Sequence, residues 1–230
     1  EKELIRARKA AEDANASKTR FLALASHDVL QPLNAAKLYV TALEEAELSA
    51  PVKDIVTKLN HSVTSSEALI GTLLDISRLD QGELKPSVEA VHLPALLSQL
   101  TDEMGMRARE KGLQLRARIR DCWVLGDKTF LYRIVQNLLS NAVKYTESGK
   151  VLLTVRPRGD RVLIEVRDTG IGISSEQQGM IFSDFYRTHE SAEHGVGLGL
   201  GVVRRLSQQM QSKIQVSSVP GKGSCFTLTM

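Results

Sequence analysis

Two apolar stripes separated by one short break limit what the first eighty residues can become. Apolar side chains recur at Leu22, Ala25, Val29, Leu33, Ala36, Val40 and Leu43. Steps of three and four place them along one side of a helix. The preceding run, EKELIRARKAAEDANASKTR, is rich in Ala, Glu, Lys and Arg, which are good helix formers. Residues 1–48 are therefore predicted as one long helix, locally kinked at Pro32. Leu48-Ser49-Ala50-Pro51 reads as the turn, with Pro51 placed to open the next helix. Residues 52–80 form the second helix. Val52, Val56, Leu59, Val63, Ile70 and Leu73 make its heptad-like seam, with Ser66 in the gap. A hairpin of two such helices cannot cover its own stripe along its full length. A second copy completing a four-helix bundle is expected, and a monomeric hairpin packed on the rest of the chain is the alternative.

From about residue 82 the texture changes. Gln81-Gly82 and Pro86 mark a linker. Helical patterns follow near 93–111 and 127–145, with strand-like runs at Leu113–Ile119, Val151–Arg156, Arg161–Arg167, Lys213–Ser218 and Ser224–Met230. A last helix near 199–211 opens from a glycine-rich loop. Strands mixed with helices imply one sheet covered on one face by helices, so the chain as a whole is α+β: a helical hairpin followed by an α/β sandwich.

The 230 residues suit one large or two small domains. Aromatics are only 4%, so the cores must be built from Leu, Val, Ile and Ala. With 30 basic and 27 acidic residues the net charge is +3, which argues against nucleic acid and against membrane contact by this fragment. Cys122 and Cys225 lie far apart without metal-type spacing, which fits a reducing, cytoplasmic setting. No apolar run approaches the ~20 residues needed to span a bilayer, and there is no signal peptide. The chain starts inside a helical pattern without Met, so it is read as a piece of a longer protein, soluble or membrane-anchored.

His27 falls two residues after Ala25 and two before Val29, turned well away from the buried stripe. An outward imidazole has the chemistry of a phosphoryl acceptor: one ring nitrogen free to attack, the other donating its hydrogen to a group that fixes the tautomer. The neighbouring Asp28 can do that and can accept a proton. Gln31 lies one turn on, on the same face. His61 and His92 read instead as solvated surface histidines.

In DKTFLYRIVQNLLSNAVKYT (127–146), Asp127 is a candidate N-cap. Leu131, Ile134, Val135, Leu138, Leu139 and Ala142 form a buried face. Asn137 and Asn141 project from one side, continued by Lys144. Two amides and an ammonium there can hold Mg²⁺ and phosphate oxygens, although a polar solvent face would look the same. The run DTGIGI, beginning at Asp168, follows a strand, and its glycines let backbone approach a flat ligand. Asp168 is placed to accept a hydrogen bond from an adenine amino group. GVGLGLG (195–201) opens a helix, where glycine-rich backbone makes an anion site. The polar stretch between the two clusters, with Arg187, His189 and His194, reads as a lid over a nucleotide.

Together these motifs resemble the sensor histidine kinases. SHDVLQP (26–32) is similar to the family's H box, QNLLSNAVKYT (136–146) to its N box, and DTGIGI to its first glycine box. IFSDFYR (181–187) resembles the F box, GVGLGLG the second glycine box, and PGKGSCFTL (220–228) the closing glycine motif. The resemblance implies ATP and Mg²⁺ as cofactors, autophosphorylation of His27, and transfer of that phosphoryl group to an aspartate on a response-regulator receiver domain, in the same chain or another. It implies that Asp28 is the base, that Asn141 is the Mg²⁺ ligand, and that Asn137 lies near the moving phosphoryl group. Lys144 and Tyr145 would contact the nucleotide, Asp168 would read adenine, and Gly170 and Gly172 would shape its pocket. Arg187 would reach phosphate, and Gly195, Gly197, Leu198 and Gly199 would admit the phosphate chain. The implied division is a coiled-coil helix over 1–20, a dimerisation and phosphotransfer hairpin over 21–81, a linker over 82–92 and an ATP-binding domain over 93–230, with the homodimer formed through 1–80.

Two positions depart from the family pattern. Gln31 stands where Thr or Asn is usual, so phosphatase activity toward the partner stays open, and Leu30 stands where Arg is common. H boxes of the HDVLQPLNAA type resemble those of hybrid kinases that carry a receiver domain later in the chain. One rival is an ATP hydrolase of the gyrase and MutL type, which shares the nucleotide fold. That family sets a glutamate four residues before the magnesium asparagine, where this chain has Asn137. The other rival is a degenerate, non-catalytic scaffold, and such modules lose motifs that are all present here.

Overall fold

The computed structural model describes residues 30–44, 46, 48–187 and 197–230. His27, Asp28, Gly195, His189, His194 and the expected N-terminal coiled coil lie outside these residues. The chain divides into two compact units, Glu1–Leu84 and Lys85–Met230.

In the first unit, helix α1 (30–44) runs through Pro32, and helix α2 spans Ala50–Asp80. Ser49, extended at φ −63° and ψ 150°, is the N-cap of α2, and Pro51 sits in its first turn as expected. The two helices are antiparallel and tied at two places. Lys37 Nζ meets Glu67 Oε2 at 2.6 Å, and Asn60 Nδ2 donates to Glu44 Oε1 at 2.7 Å. Each tie lies seven residues from the other on both helices, so the register is that of a heptad pair. Val40, Val56 and Val63 are buried, whereas Val52 and Leu59 of the expected seam are 42% and 46% exposed. Ile55 is 63% and Tyr39 74% exposed, so the hairpin covers one side of each helix and leaves a second apolar side open. Gly82 N and Glu83 N bond back to Leu79 O and Arg78 O, closing the end of α2.

The second unit is a five-stranded sheet in the order β2-β4-β5-β7-β6, plus a two-stranded sheet of β1 and β3. In sequence these are β1 (Glu89–His92), α3 (Leu93–Glu110), β2 (Gln114–Ile119), β3 (Trp123–Gly126), α4 (Lys128–Lys144), β4 (Lys150–Arg158), β5 (Arg161–Asp168), α5 (Ser175–Gln178), α6 (Gly199–Gln209), β6 (Lys213–Val219) and β7 (Gly223–Thr229). The β2–β4 pair is parallel, and the other pairs of the large sheet are antiparallel. Period-two alternation sends Val151, Leu153 and Val155, Ile164 and Val166, and Phe226 and Leu228 to one face. Leu97, Leu100 and Met104 of α3, Leu131, Ile134 and Leu138 of α4, and Val203 and Leu206 of α6 are buried as well, with α4 packed on β4 and β5, α3 on β2 and α6 on β6.

Two features differ from expectation. Residues 89–92, read as linker, pair with Trp123–Gly126, so ordered sheet begins inside that stretch. Strands β1 and β3 are four residues each, too short for alternation to register in the sequence. His92 is not simply solvated: its Nε2 lies 2.6 Å from Asp121 Oδ1, and its ring stacks on Trp123 with centroids 4.7 Å apart.

Candidate nucleotide site

Helix α4 is fixed at its start by Asp127. Oδ1 accepts the Phe130 N–H at 2.9 Å, which is the expected N-cap, and Oδ2 accepts the Ser87 N–H at 2.7 Å. The six expected core positions, Leu131 to Ala142, are all buried. Asn137 and Asn141 are half-buried on the side left over. Asn137 Nδ2 donates to Arg133 O at 2.8 Å, which orients the amide and leaves Oδ1 pointing away from its own helix. At the far end, Lys111 Nζ donates to Val143 O at 3.0 Å and Lys144 O at 2.6 Å, so a cation sits on the helix C-terminus. Lys144 Nζ lies 4.7 Å from the centroid of the Tyr145 ring.

The glycine-rich N-terminus of α6 meets this side of α4. A Cβ at Gly199 would stand 2.8 Å from Asn137 Oδ1, so absence of a side chain is what allows the two to approach. The N-cap, Leu198, supplies no side-chain hydrogen bond to the first amides of α6. Gly197 has φ 79°, and a Cβ there would strike Tyr186 O at 2.6 Å and Arg187 Cγ at 3.1 Å. Phe185 N donates to Gly197 O at 3.0 Å. The expected F box and second glycine box thus cross at this point. A bidentate pair between Asp184 and Arg205, both contacts 2.7 Å, ties the F box to α6.

Asp168 ends β5 and is only 7% exposed. Its Oδ1 accepts the Gly170 N–H at 2.9 Å and the Ser224 N–H at 3.1 Å. Burial raises its pKa above the ordinary carboxylate value, and the two amide bonds offset part of that rise. Among the described residues Oδ2 takes no hydrogen bond, and no fully buried side-chain oxygen lacks a partner, so Oδ2 keeps access to solvent. An acceptor of this kind fits an amino donor such as the one on adenine. The glycines of this box answer backbone demands. A Cβ at Gly170 would run into Tyr145 O, and one at Gly172, φ 74°, into Val219 O. The Ile171 N–H bonds to Tyr145 O at 3.3 Å, joining the end of α4 to the loop after β5.

The structure therefore brings Asn137 to Gly199, Tyr145 to Gly170, and Arg187 to Gly197. Gln31 is exposed on α1, in the other unit. Two contributors were not singled out by sequence reasoning. Ser224 fixes Asp168 through its N–H, and its hydroxyl lies 2.9 Å from Ser218 Oγ. Lys111 caps α4 from the end of α3. Ser224 lies inside the closing glycine motif and could have been found there, whereas Lys111 carries no local signal.

Two family models match. The His Kinase A (phospho-acceptor) domain covers residues 17–82, and the histidine kinase-, DNA gyrase B-, and HSP90-like ATPase covers residues 126–230. The chain is 32% identical over 229 residues to the aerobic respiration control sensor protein ArcB of Escherichia coli K12, which covers 96% of this chain and 29% of ArcB. It is 34% identical over 225 residues to the sensor histidine kinase RcsC of Salmonella typhimurium, covering 95% of this chain and 24% of RcsC. The chain thus spans under a third of the length of these curated relatives. Among solved structures, full-length ShkA in complex with AMPPNP superposes with a TM-score of 0.79 at 33% identity, over 91% of this chain and 45% of ShkA. The Acinetobacter baumannii histidine kinase AdeS shares the fold, with a TM-score of 0.65 at 18% identity over 87% of this chain and 93% of AdeS.

Proposed function

The chain belongs to the histidine kinases, carrying their phospho-acceptor unit followed by their ATP-binding unit, and on that premise we propose that it phosphorylates its own His27 from ATP and passes the phosphoryl group to an aspartate of a receiver domain. In the first step the unprotonated ring nitrogen of His27 forms a bond to the γ-phosphorus as the bond to the bridging oxygen breaks and ADP leaves. The proton on the other ring nitrogen passes to Asp28. Asn137, held toward α6 by Arg133 O, lines the path of the phosphoryl group. Lys144 and Arg187 neutralise charge spreading over it. Asp168 accepts from the adenine amino group through Oδ2, while Tyr145, Gly170 and Gly172 bound that pocket. Gly195, Gly197, Leu198 and Gly199 present backbone to the phosphates.

Asn141 would supply a side-chain oxygen to a bound magnesium ion, whose chemistry would be to screen phosphate charge. Among the described residues no cluster of three His, Cys, Asp or Glu could hold a metal. Magnesium at nucleotides draws most of its ligands from phosphate oxygens and water, so a single protein oxygen fits the residues present.

The open apolar side of the hairpin, with Tyr39, Leu43, Val52, Ile55 and Leu59 exposed, supports pairing with a second copy. In this reading the expected coiled coil 1–20 and the dimerisation and phosphotransfer hairpin 21–81 precede a linker that the β1–β3 pairing shortens to 82–88, and the ATP-binding domain begins at Glu89 rather than at residue 93. The receiver resides in the remainder of a longer chain or in a separate protein. No described helix is long and apolar enough to cross a membrane.

The observation that carries the proposal is the meeting of Asn137 with the glycine-rich N-terminus of α6 in the same unit that buries Asp168. Incubation with γ-labelled ATP and magnesium tests it. A kinase leaves base-stable, acid-labile label on the protein that is lost in His27→Ala. Release of free phosphate with no protein label supports the hydrolase, and nucleotide binding with neither product supports the scaffold.

A further inference from the structure

The large sheet has a second face. Alternation that buries Val151, Leu153 and Val155 turns the intervening residues of β4 outward, and the register carries this across the sheet. The outward residues form rows: Arg116 beside Leu152, Arg167 and Cys225, then Arg118 beside Thr154, Glu165 and Thr227. The helices lie on the other face. Six cations on this one, Arg116, Arg118, Lys150, Arg158, Arg167 and Lys213, are exposed and pair with no carboxylate among the described residues. Arg156 is held by the one acid within the rows, Glu165, at 3.2 Å, and Arg161 pairs loosely at 4.0 Å with Asp160 in the adjoining turn. A chain with a net charge of only +3 therefore gathers a one-sign field on a single surface.

We propose that this sheet face is a docking surface for an anionic lipid bilayer. The cations are spread in two dimensions over four strands of the five, from one edge of the sheet to the other, a width of roughly 19 Å at ordinary strand spacing. A plane of phosphates matches that layout, and guanidinium groups bind phosphate in a bidentate manner. Single-stranded nucleic acid is a poorer match because the face carries no aromatic ring for bases to stack on. Duplex DNA is a poorer match because no helix or ribbon projects from the sheet to enter a groove. A folded acidic protein would want a central apolar or aromatic anchor, and the one large exposed apolar side chain on the face is Val219, at its corner. Arginines on the edge strand β2 also deter strand addition, but that role does not call for Arg158, Arg167 and Lys213 on the other strands.

The test is sedimentation of the full chain with vesicles of phosphatidylcholine alone and of equal parts phosphatidylcholine and phosphatidylglycerol. The expected result is partition onto the mixed vesicles only, abolished at about 0.5 M salt, where the Debye length falls to roughly 4 Å. The triple variant Arg116→Gln/Arg118→Gln/Arg158→Gln should bind on the order of 100-fold more weakly. Its melting temperature and nucleotide binding should match wild type, since none of the three residues belongs to the nucleotide site. No partition, equal partition onto both vesicle types, or unchanged binding by the folded variant would overturn the proposal. Duplex DNA that displaces the protein from the mixed vesicles at equal phosphate concentration would reassign the surface to nucleic acid.

Discussion

Asp168 ties stability to the proposed reading of adenine. Its carboxyl is buried, and its pKa is raised first by burial, with the Gly170 and Ser224 amides pulling the other way. The folded chain holds this proton more tightly than the unfolded chain does. Protonation therefore favours the fold, and stability is lost as pH rises from the ordinary carboxylate value through the raised one. Asp168→Asn keeps an acceptor for both amides and removes the buried charge. The variant should melt no lower than wild type at neutral pH, and its advantage should shrink as pH is lowered through that window, as read by calorimetry. Its ATP affinity should fall at least about 10-fold, because the amide can turn a donor toward the adenine amino group. Gly199 makes the complementary case. A methyl group there would meet only the end of the Asn137 side chain, so Gly199→Ala should cost little stability. It should still lower the autophosphorylation rate by about 10- to 100-fold by displacing the amide, which separates siting from folding in a stopped time course.

At the scale of elements, the long patterns were legible and the short ones were not. Helix α4 could be read because its six buried positions repeat at helical spacing and Asp127 marks its start. The five strands of the large sheet showed through as apolar alternation. Strands β1 and β3 did not, because four residues give no period and their pairing is a tertiary fact. In the hairpin, periodicity located the apolar residues without telling which side of each helix the partner helix would cover. The register set by the Lys37–Glu67 and Glu44–Asn60 ties settles this: Val56 and Val63 turn inward, and Val52, Ile55 and Leu59 stay open. If a second copy covers that open side, Ile55→Lys/Leu59→Lys should turn a dimer into a monomer in analytical ultracentrifugation. Nucleotide binding by the separate ATP unit should be preserved.

For the whole molecule, the sequence disclosed two units and the order of their motifs. What it hid were contacts between distant segments: Lys111 on the end of α4, Ser224 on Asp168, and the F box tied to α6 through Asp184 and Arg205. It also hid the basic sheet face, since a balanced total charge carries no information on how charge is distributed. The account's central claim joins the units: nucleotide held in one delivers its phosphoryl group to a histidine in the other. Mass-spectrometric mapping of the protein after incubation with ATP and magnesium, kept at alkaline pH to preserve a phosphorus–nitrogen bond, tests this most directly. The account predicts one phosphoryl group on the imidazole of His27, absent when Asn141 is replaced by alanine; a phosphoryl group on any other side chain, or an unmodified chain beside accumulating ADP, would contradict it.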